Sequence, residues 1–298
     1  MASRALLITG ATGKQGGSVI NALLKANAPF DIIAVTRNAQ SPSAQKLLQK
    51  SPRIKLITGD FKATDDIFRQ AKAATSSPIW GVPLGSNEEA HGKALINAAL
   101  KNGVSHFVYT SADRGPDSDN TPTPVPHFIT KHNIEQHLFA KTQGTNMTWT
   151  VLRPVAFFDN LTPDFFGKVF TTSFRMRLGE KAKKLQMIAT SDVGFFGAQA
   201  FLRAESGEYR NKSMSLAGDE LTFRELKAIY EKRTGETLPM TYDFLAGLIQ
   251  WMSKDFGYMM KWMRTDGFGA DIASVRKNRP DIKDFATWLD TESAWKKA

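Results

Sequence analysis

Apolar and polar positions alternate along the first half of the chain in two different rhythms. Ala5-Leu6-Leu7-Ile8 is a short unbroken apolar run that stops at a glycine, and Gly16 to Ala26 then carries Val19, Ile20, Leu23 and Leu24 at helical spacing. The same alternation recurs. Ile32–Val35 and Ile54–Ile57 read as strands, separated by a polar helix around Ala44–Gln49. Asp65–Ala74 reads as a helix with Thr64 as its cap. Ile79–Val82 is a weak strand because Gly81 and Pro83 interrupt it. Glu88–Lys101 is a helix closed by Asn102-Gly103, His106–Tyr109 a strand, Ile129–Lys141 a helix and Trp149–Leu152 a strand. Short strands without polar alternation, each followed by a helix, predict a parallel sheet covered on both faces.

Beyond Pro154 the rhythm loosens. Leu185–Ala189 reads as a strand, Val193–Leu202 as a helix and Ser213–Leu216 as a short strand. Thr222 with Glu225 three residues on makes a capping box that opens a further helix. From Phe244 onward the chain is helical and rich in aromatic residues and methionine. The stretch Pro116–Pro126 holds four prolines and is a loop, either a flap over a site or a surface excursion. The expected class is α/β: a Rossmann-type doubly wound parallel sheet with a smaller, mostly helical C-terminal domain. The domain layout expected is 1–153 as the nucleotide-binding domain, with 185–216 returning to it, and 154–184 with 217–298 as the smaller domain.

Composition narrows the chemistry. The 298 residues include no cysteine, which excludes disulfides, thiolate zinc sites and a cysteine nucleophile. The net charge of +10 comes from basic residues that are scattered, so nucleic acid is not the expected partner. No run approaches the ~20 apolar residues of a membrane span. The apolar run after the N-terminus is too short for a secretory leader, and the cytoplasm is the expected location, with the nucleus as the alternative for a regulator. The five histidines have no ligand-like spacing with carboxylates, and no metal is expected.

Residues 8–17 read ITGATGKQGG, so a strand ends at Thr9 and glycines fall at 10, 13 and 16. This G-x-x-G-x-x-G spacing is a variant of the dinucleotide fingerprint. Gly10 permits the tight turn, Gly13 lets the backbone approach a pyrophosphate, and Gly16 lets the following helix pack close to the strand. The second strand ends in Thr36-Arg37, where NAD-binding proteins usually carry a carboxylate for the ribose 2′-hydroxyl. Arg37 can instead grip a 2′-phosphate, which points to NADP(H). Asp60, ending the third strand, either accepts from the adenine amine or caps the turn.

The segments ITGATGKQGG, VTRN, GDF, HFVYTSA, HFITKHNIEQHL and WTVLRPVAFFDNL, in that order, resemble the NmrA-like family of atypical short-chain dehydrogenases. The stretches SDVGFFGAQAFL and KSMSLAGDELTFRELKAIYEKRTGE extend the resemblance to about residue 236. It implies an NADP-binding domain in which Thr12 and Gln15 join Gly10, Gly13 and Gly16 around the cofactor. It also implies that Lys131 sits near the nicotinamide, and that Phe157, Phe158 and Asn160 line that side of the cleft. Short-chain dehydrogenases pair this lysine with a tyrosine four residues earlier as proton donor. Here His127 stands in that place. A histidine can donate a proton near neutral pH, or it is simply a polar residue at a helix start. Ser111 matches the family's serine, which hydrogen-bonds a substrate carbonyl, or it satisfies backbone at the strand end.

The expected activity is NADPH-dependent reduction of a small or medium hydrophobic carbonyl, quinone or activated double bond. Lys131, His127 and Ser111 are the candidate catalytic residues. The alternative is a redox-sensing regulator that binds NADP(H) and a protein partner without turnover. The tail residues Trp251, Met252, Phe256, Met259, Met260, Trp262 and Met263 either line an apolar substrate pocket or form core. The pattern leaves the oligomeric state open.

Overall fold

The computed structural model describes residues 4–85 and 88–296. The elements follow the expected alternation: β1 (Arg4–Ile8), α1 (Lys14–Lys25), β2 (Phe30–Thr36), α2 (Pro42–Leu48), β3 (Ile54–Thr58), α3 (Thr64–Ala74), β4 (Ile79–Leu84), α4 (Glu89–Lys101), β5 (His106–Thr110), α5 (Pro126–Thr142) and β6 (Thr148–Pro154). Then come β7 (Ala156–Phe157), α6 (Phe165–Leu178), β8 (Lys184–Ile188), α7 (Thr190–Leu202), β9 (Lys212–Leu216), β10 (Asp219–Thr222) and α8 (Phe223–Thr234). Four helices close the chain: α9 (Asp243–Met252), α10 (Lys254–Thr265), α11 (Ile272–Asn278) and α12 (Phe285–Thr291). No helix among the described residues is long and apolar enough to cross a membrane.

Two compact units divide the chain. The first comprises 1–111, 130–153 and 193–214; the second comprises 112–129, 154–192 and 215–298. The seven-stranded sheet runs β3-β2-β1-β4-β5-β6-β9, and the pairings from β3 through β6 are parallel. This is the expected Rossmann-type order, reversing on either side of β1. One face of the sheet packs Ala5, Leu7, Ile33, Val82, Phe107 and Tyr109 against Ile67, Leu95 and Ile134 of α3, α4 and α5. On the other face Gly194 and Gly197 of α7 lie against Ser18 and Val19 of α1, where side chains would collide. Helices thus cover both faces, which is why the strands need no polar alternation.

Three details depart from the sequence-based expectation. β4 is a complete strand, six residues long and wholly buried. Gly81 sits inside it because a Cβ there would stand within 3 Å of Phe201 and Leu6, so the glycine marks close packing and not a break. Thr64 does not cap α3. A turn of 3-10 helix at Phe61–Ala63 precedes that helix, and Asp60 caps this turn by accepting from Lys62 N at 2.9 Å. The return of 185–216 to the first unit is carried by 193–214 alone, because β8 pairs with β7 and β10 in a separate three-stranded sheet.

That second sheet and helices α6 and α8–α12 enclose the second unit's core. Phe158, Phe174, Phe223, Phe285 and Trp288 meet there with Met260, Trp262 and Met263. The last three tail residues are therefore core, as aromatic residues at helical spacing usually are. Phe256 and Met259 pack against the same core, whereas Trp251 and Met252 are exposed. The proline-rich loop is held by the buried Arg114, which donates to Ala112 O at 3.0 Å, to Thr121 O at 3.2 Å and to Ser118 O. The capping box at Thr222 and Glu225 forms as expected.

His106, on β5, is fully buried, with its ring nitrogens 2.8 Å from Thr148 Oγ1 and 3.1 Å from Thr150 Oγ1. Burial pushes its pKa down from the ordinary 6.5 to about 4. The folded chain therefore binds fewer protons than the unfolded chain between these two values. Stability is complete above about 6.5 and falls as pH drops through that window. Between pH 7.5 and 5.0 this single site should remove about 2 kcal/mol of unfolding free energy. Urea unfolding at the two pH values checks it. His106→Phe should flatten the slope, since both threonine hydroxyls also have a backbone carbonyl, Ser105 O or Tyr209 O, to donate to.

Candidate functional site

The turn after β1 is built by what its glycines lack. Gly10 has φ +58°, a left-handed conformation that side chains rarely adopt, and Gly13 N donates back to its carbonyl at 2.9 Å. A Cβ on Gly16 would lie 2.4 Å from Gly10 O. Only glycine lets α1 start this close to the strand. Gly13 is the N-cap of α1, no side chain caps that end, and its first turn has no acidic residue. The amides there are open to an anion, and the helix dipole favours one. Thr12 is exposed beside them, while Gln15 is half-buried with its Oε1 turned toward Gly85 at the end of β4.

At the ends of β2 and β3 a pocket of about 310 Å³ is lined by Arg37, Thr58, Gly59, Asp60, Ala63, Asp66 and Gln70. Arg37 is exposed and makes no ion pair among the described residues. The structure thus brings Arg37 and Asp60 together, and it adds Thr58, Asp66 and Gln70, which sequence reasoning missed. Asp66 and Gln70 lie one helical turn apart on α3, a relation visible only once that helix is seen to border β3.

Lys131 is buried, unlike most helix lysines. Its Nζ donates to Thr110 O at 3.2 Å and Ser111 O at 3.0 Å, and lies 5.9 Å from the centre of the Tyr109 ring. Two carbonyl dipoles and an aromatic face compensate the lost hydration of the ammonium. Ser111 is buried, and its amide donates to Leu152 O at 2.7 Å. One turn beyond Lys131, Glu135 accepts from Arg153 in a two-pronged pair, at 3.2 and 2.6 Å, in which both side chains are almost wholly buried. Sequence reasoning also missed this pair. Its only signal was an arginine at the end of the otherwise apolar strand TWTVLRP.

His127, in the second unit, stands at the second position of α5. Its Nδ1 lies 2.8 Å from both carboxylate oxygens of Asp255, which also accepts from the His127 amide at 3.0 Å. The ring packs edge-on to Phe128, 4.4 Å between centroids. A carboxylate at Nδ1 fixes that nitrogen as the donor and leaves Nε2 for other chemistry. Asp255, 128 positions away, could not be paired with His127 from the sequence. Phe158 is core and Phe157 half-buried, while Asn160 is exposed. Asp159 and Asp164 are each occupied locally, accepting from Thr190 N and Gly167 N.

The NmrA-like family model matches residues 2–263. The chain belongs to the NmrA-like family. Among curated members, the NmrA-like domain-containing oxidoreductase hkm9 of Aspergillus hancockii is 26% identical over 258 residues, 78% of this chain and 73% of that protein. The oxidoreductase FrzB of Cladobotryum sp is 28% identical over 172 residues, 55% of this chain and 50% of its own length. The chain spans about half the length of several such relatives. Among solved structures, triphenylmethane reductase of Citrobacter sp. complexed with NADP(H) superposes with a TM-score of 0.71 at 18% identity, over 95% of this chain and 98% of that one. The negative transcriptional regulator NmrA in complex with NADP gives 0.68 at 15%, over 98% and 96%. At such identities these two likenesses establish the fold that the NmrA-like chains share.

The buried Glu135–Arg153 pair gives a stability test. Glu135→Gln leaves a buried guanidinium without its counter-charge and should cost about 3–5 kcal/mol in urea unfolding. The double change Glu135→Leu, Arg153→Met should recover most of that loss, because no uncompensated charge remains.

Proposed function

We propose that this NmrA-like chain is an NADPH-dependent oxidoreductase that reduces a small or medium hydrophobic carbonyl, quinone or activated double bond. The observation that carries the proposal is the buried Lys131 held at the end of β5, together with an uncapped α1 N-terminus and an unpaired Arg37 on the same sheet. These residues fit a dinucleotide phosphate. The amides at the start of α1 receive the pyrophosphate, the bare Gly13 and Gly16 allow its approach, and Thr12 and Gln15 border it. Arg37 takes the 2′-phosphate, with Asp60 toward the adenine. The curated relatives' designation as oxidoreductases supports the reading, as do solved neighbours with NADP(H) or NADPH bound, including the NADPH-dependent quinone oxidoreductase of Escherichia coli.

Bound NADPH supplies the hydride. Lys131 holds the nicotinamide ribose. Ser111 offers a hydrogen bond to the substrate oxygen. His127 is the proton donor through Nε2, while Asp255 keeps Nδ1 protonated and the ring oriented, as a carboxylate does for a catalytic imidazole. A second reading, an NADP(H)-binding redox sensor that engages a protein partner, is favoured by the histidine standing where typical short-chain dehydrogenases carry tyrosine. NADPH consumption against a panel of quinones, aldehydes and enones separates them. Turnover of at least one class is the expected result, and tight NADPH binding with no turnover would move the assignment to the sensor.

Two substitutions test the placement. Arg37→Ala should weaken NADPH by about tenfold or more, the equivalent of one charge-assisted phosphate contact, and leave NADH nearly unchanged in calorimetry. Equal loss for both would remove Arg37 from the 2′-phosphate. His127→Phe should lower kcat by roughly 10²–10⁴ with little change in NADPH affinity. Asp255→Asn should lower kcat in the same direction, since the ring loses the carboxylate that orients it through Nδ1. A rate within about threefold of wild type after His127→Phe would exclude it as the general acid.

A further inference from the structure

Helix α9 is built inside out. Its buried positions are Ala246 and Gln250, and the buried Gln250 spends its amide on Ser173 Oγ at 2.9 Å and Arg177 Nε at 2.6 Å. Its solvent side carries Phe244, Leu248, Trp251 and Met252, at i, i+4, i+7 and i+8, with Tyr242 just ahead. Their exposures are 70% for Phe244, 78% for Trp251, 66% for Met252 and 73% for Tyr242. Single exposed apolar residues are ordinary, but an apolar stripe of four exposed side chains on one helix is not.

Beside this face the cations without an acidic partner outnumber the acids, which are already paired. A groove of about 370 Å³ beside Trp251 is lined by Arg177, Lys254, Tyr258 and Lys261. The nearby acids are already engaged, Asp243 by Arg175 and Asp255 by His127. Among the described residues, Arg177, Lys254 and Lys261 have no acidic partner.

We propose that α9 and the start of α10 form a docking surface for an anionic lipid bilayer. The aromatic and methionine side chains enter the headgroup boundary, and the three cations meet the headgroup phosphates. A second copy related by a two-fold axis would set the same three cations against one another, which disfavours a dimer across this face. Trp251 borders the groove, while Tyr242 and Phe244 stack on each other at 5.9 Å between ring centroids and stand out to solvent with Met252, an arrangement that suits the plane of a bilayer.

The test uses the full chain in vesicle flotation, with phosphatidylcholine alone and with added phosphatidylserine. The wild type should float with the anionic vesicles, not with the neutral ones, and should detach at high salt. Phe244→Ala with Trp251→Ala should lower partitioning by roughly tenfold or more. Lys254→Glu with Lys261→Glu should do the same through charge alone. All four sites are exposed, and unchanged thermal unfolding would confirm intact folds. Flotation with neither vesicle, or flotation indifferent to both double substitutions, would overturn the proposal. So would self-association without lipid that the Phe244→Ala, Trp251→Ala variant abolishes, or binding of an acidic amphipathic peptide in place of vesicles. NADPH turnover plays no part in these readouts, so failure of the enzymatic reading leaves them unaffected.

Discussion

A Cβ at Gly16 would come within 2.4 Å of the Gly10 carbonyl, and most of the first unit's arrangement depends on that missing atom. The first strand can turn into α1 only if both glycines are bare, one to take φ +58° and the other to let the helix approach. The close approach in turn directs the uncapped end of α1 to the carboxyl end of the sheet, the side where open α/β sheets bind ligands. Gly194 on α7 repeats the device, since a Cβ there would meet the backbone of Ser18 on α1. Backbone is pressed on backbone along this side of the sheet. The uncapped end of α1 is a consequence of that packing before it is a consequence of any charged side chain.

Helix α5 shows a second kind of constraint. His127, Lys131 and Glu135 recur at four-residue spacing, and each is committed to a specific partner: Asp255, the carbonyls ending β5, and Arg153. Residues at that spacing share one side of a helix. A helix that buries polar residues in this way has little contrast between faces, so its apolar periodicity is a poor guide to what it touches. The cost of burying Lys131 and Glu135 is met locally, by two carbonyls for one and a guanidinium for the other.

The sequence was most legible where burial is two-sided and local. Strands β1, β2, β3, β5 and β6, and the helices that follow the first four, appear within a few residues of where the apolar rhythm puts them, because runs such as LLI and IIAV have no other stable environment. It was least legible where a partner lies far along the chain. Gly81 and Pro83 made β4 look broken, although the glycine answers to Phe201, 120 residues later. β7, α6 and β10 gave no usable pattern, being short or, for α6, buried on most sides, with Thr171, Thr172 and Ser173 among the inward residues. Thr64 does not cap α3, because a 3-10 turn, itself capped by Asp60, leads directly into that helix, which has no side-chain cap. Of the site, the glycines, Arg37 and Lys131 could be named, while Asp255, Asp66 and the Glu135–Arg153 pair depended on tertiary contacts.

The exchange of tyrosine for histidine at 127 changes what the surroundings must do. A phenol has an ordinary pKa near 10 and gives up its proton at neutral pH only when a nearby cation stabilises the phenolate. An imidazole titrates near 6.5 and needs no such help, but it has two nitrogens, and an unoriented ring presents the wrong one half the time. Asp255 answers that second need: it binds Nδ1 with both oxygens and takes the backbone amide as well, so the ring and the start of the helix are fixed together. A histidine that merely began a helix would need no carboxylate from a residue 128 positions away. Lys131 is met separately by the carbonyls of Thr110 and Ser111, so each of the two side chains has its own fixed partner.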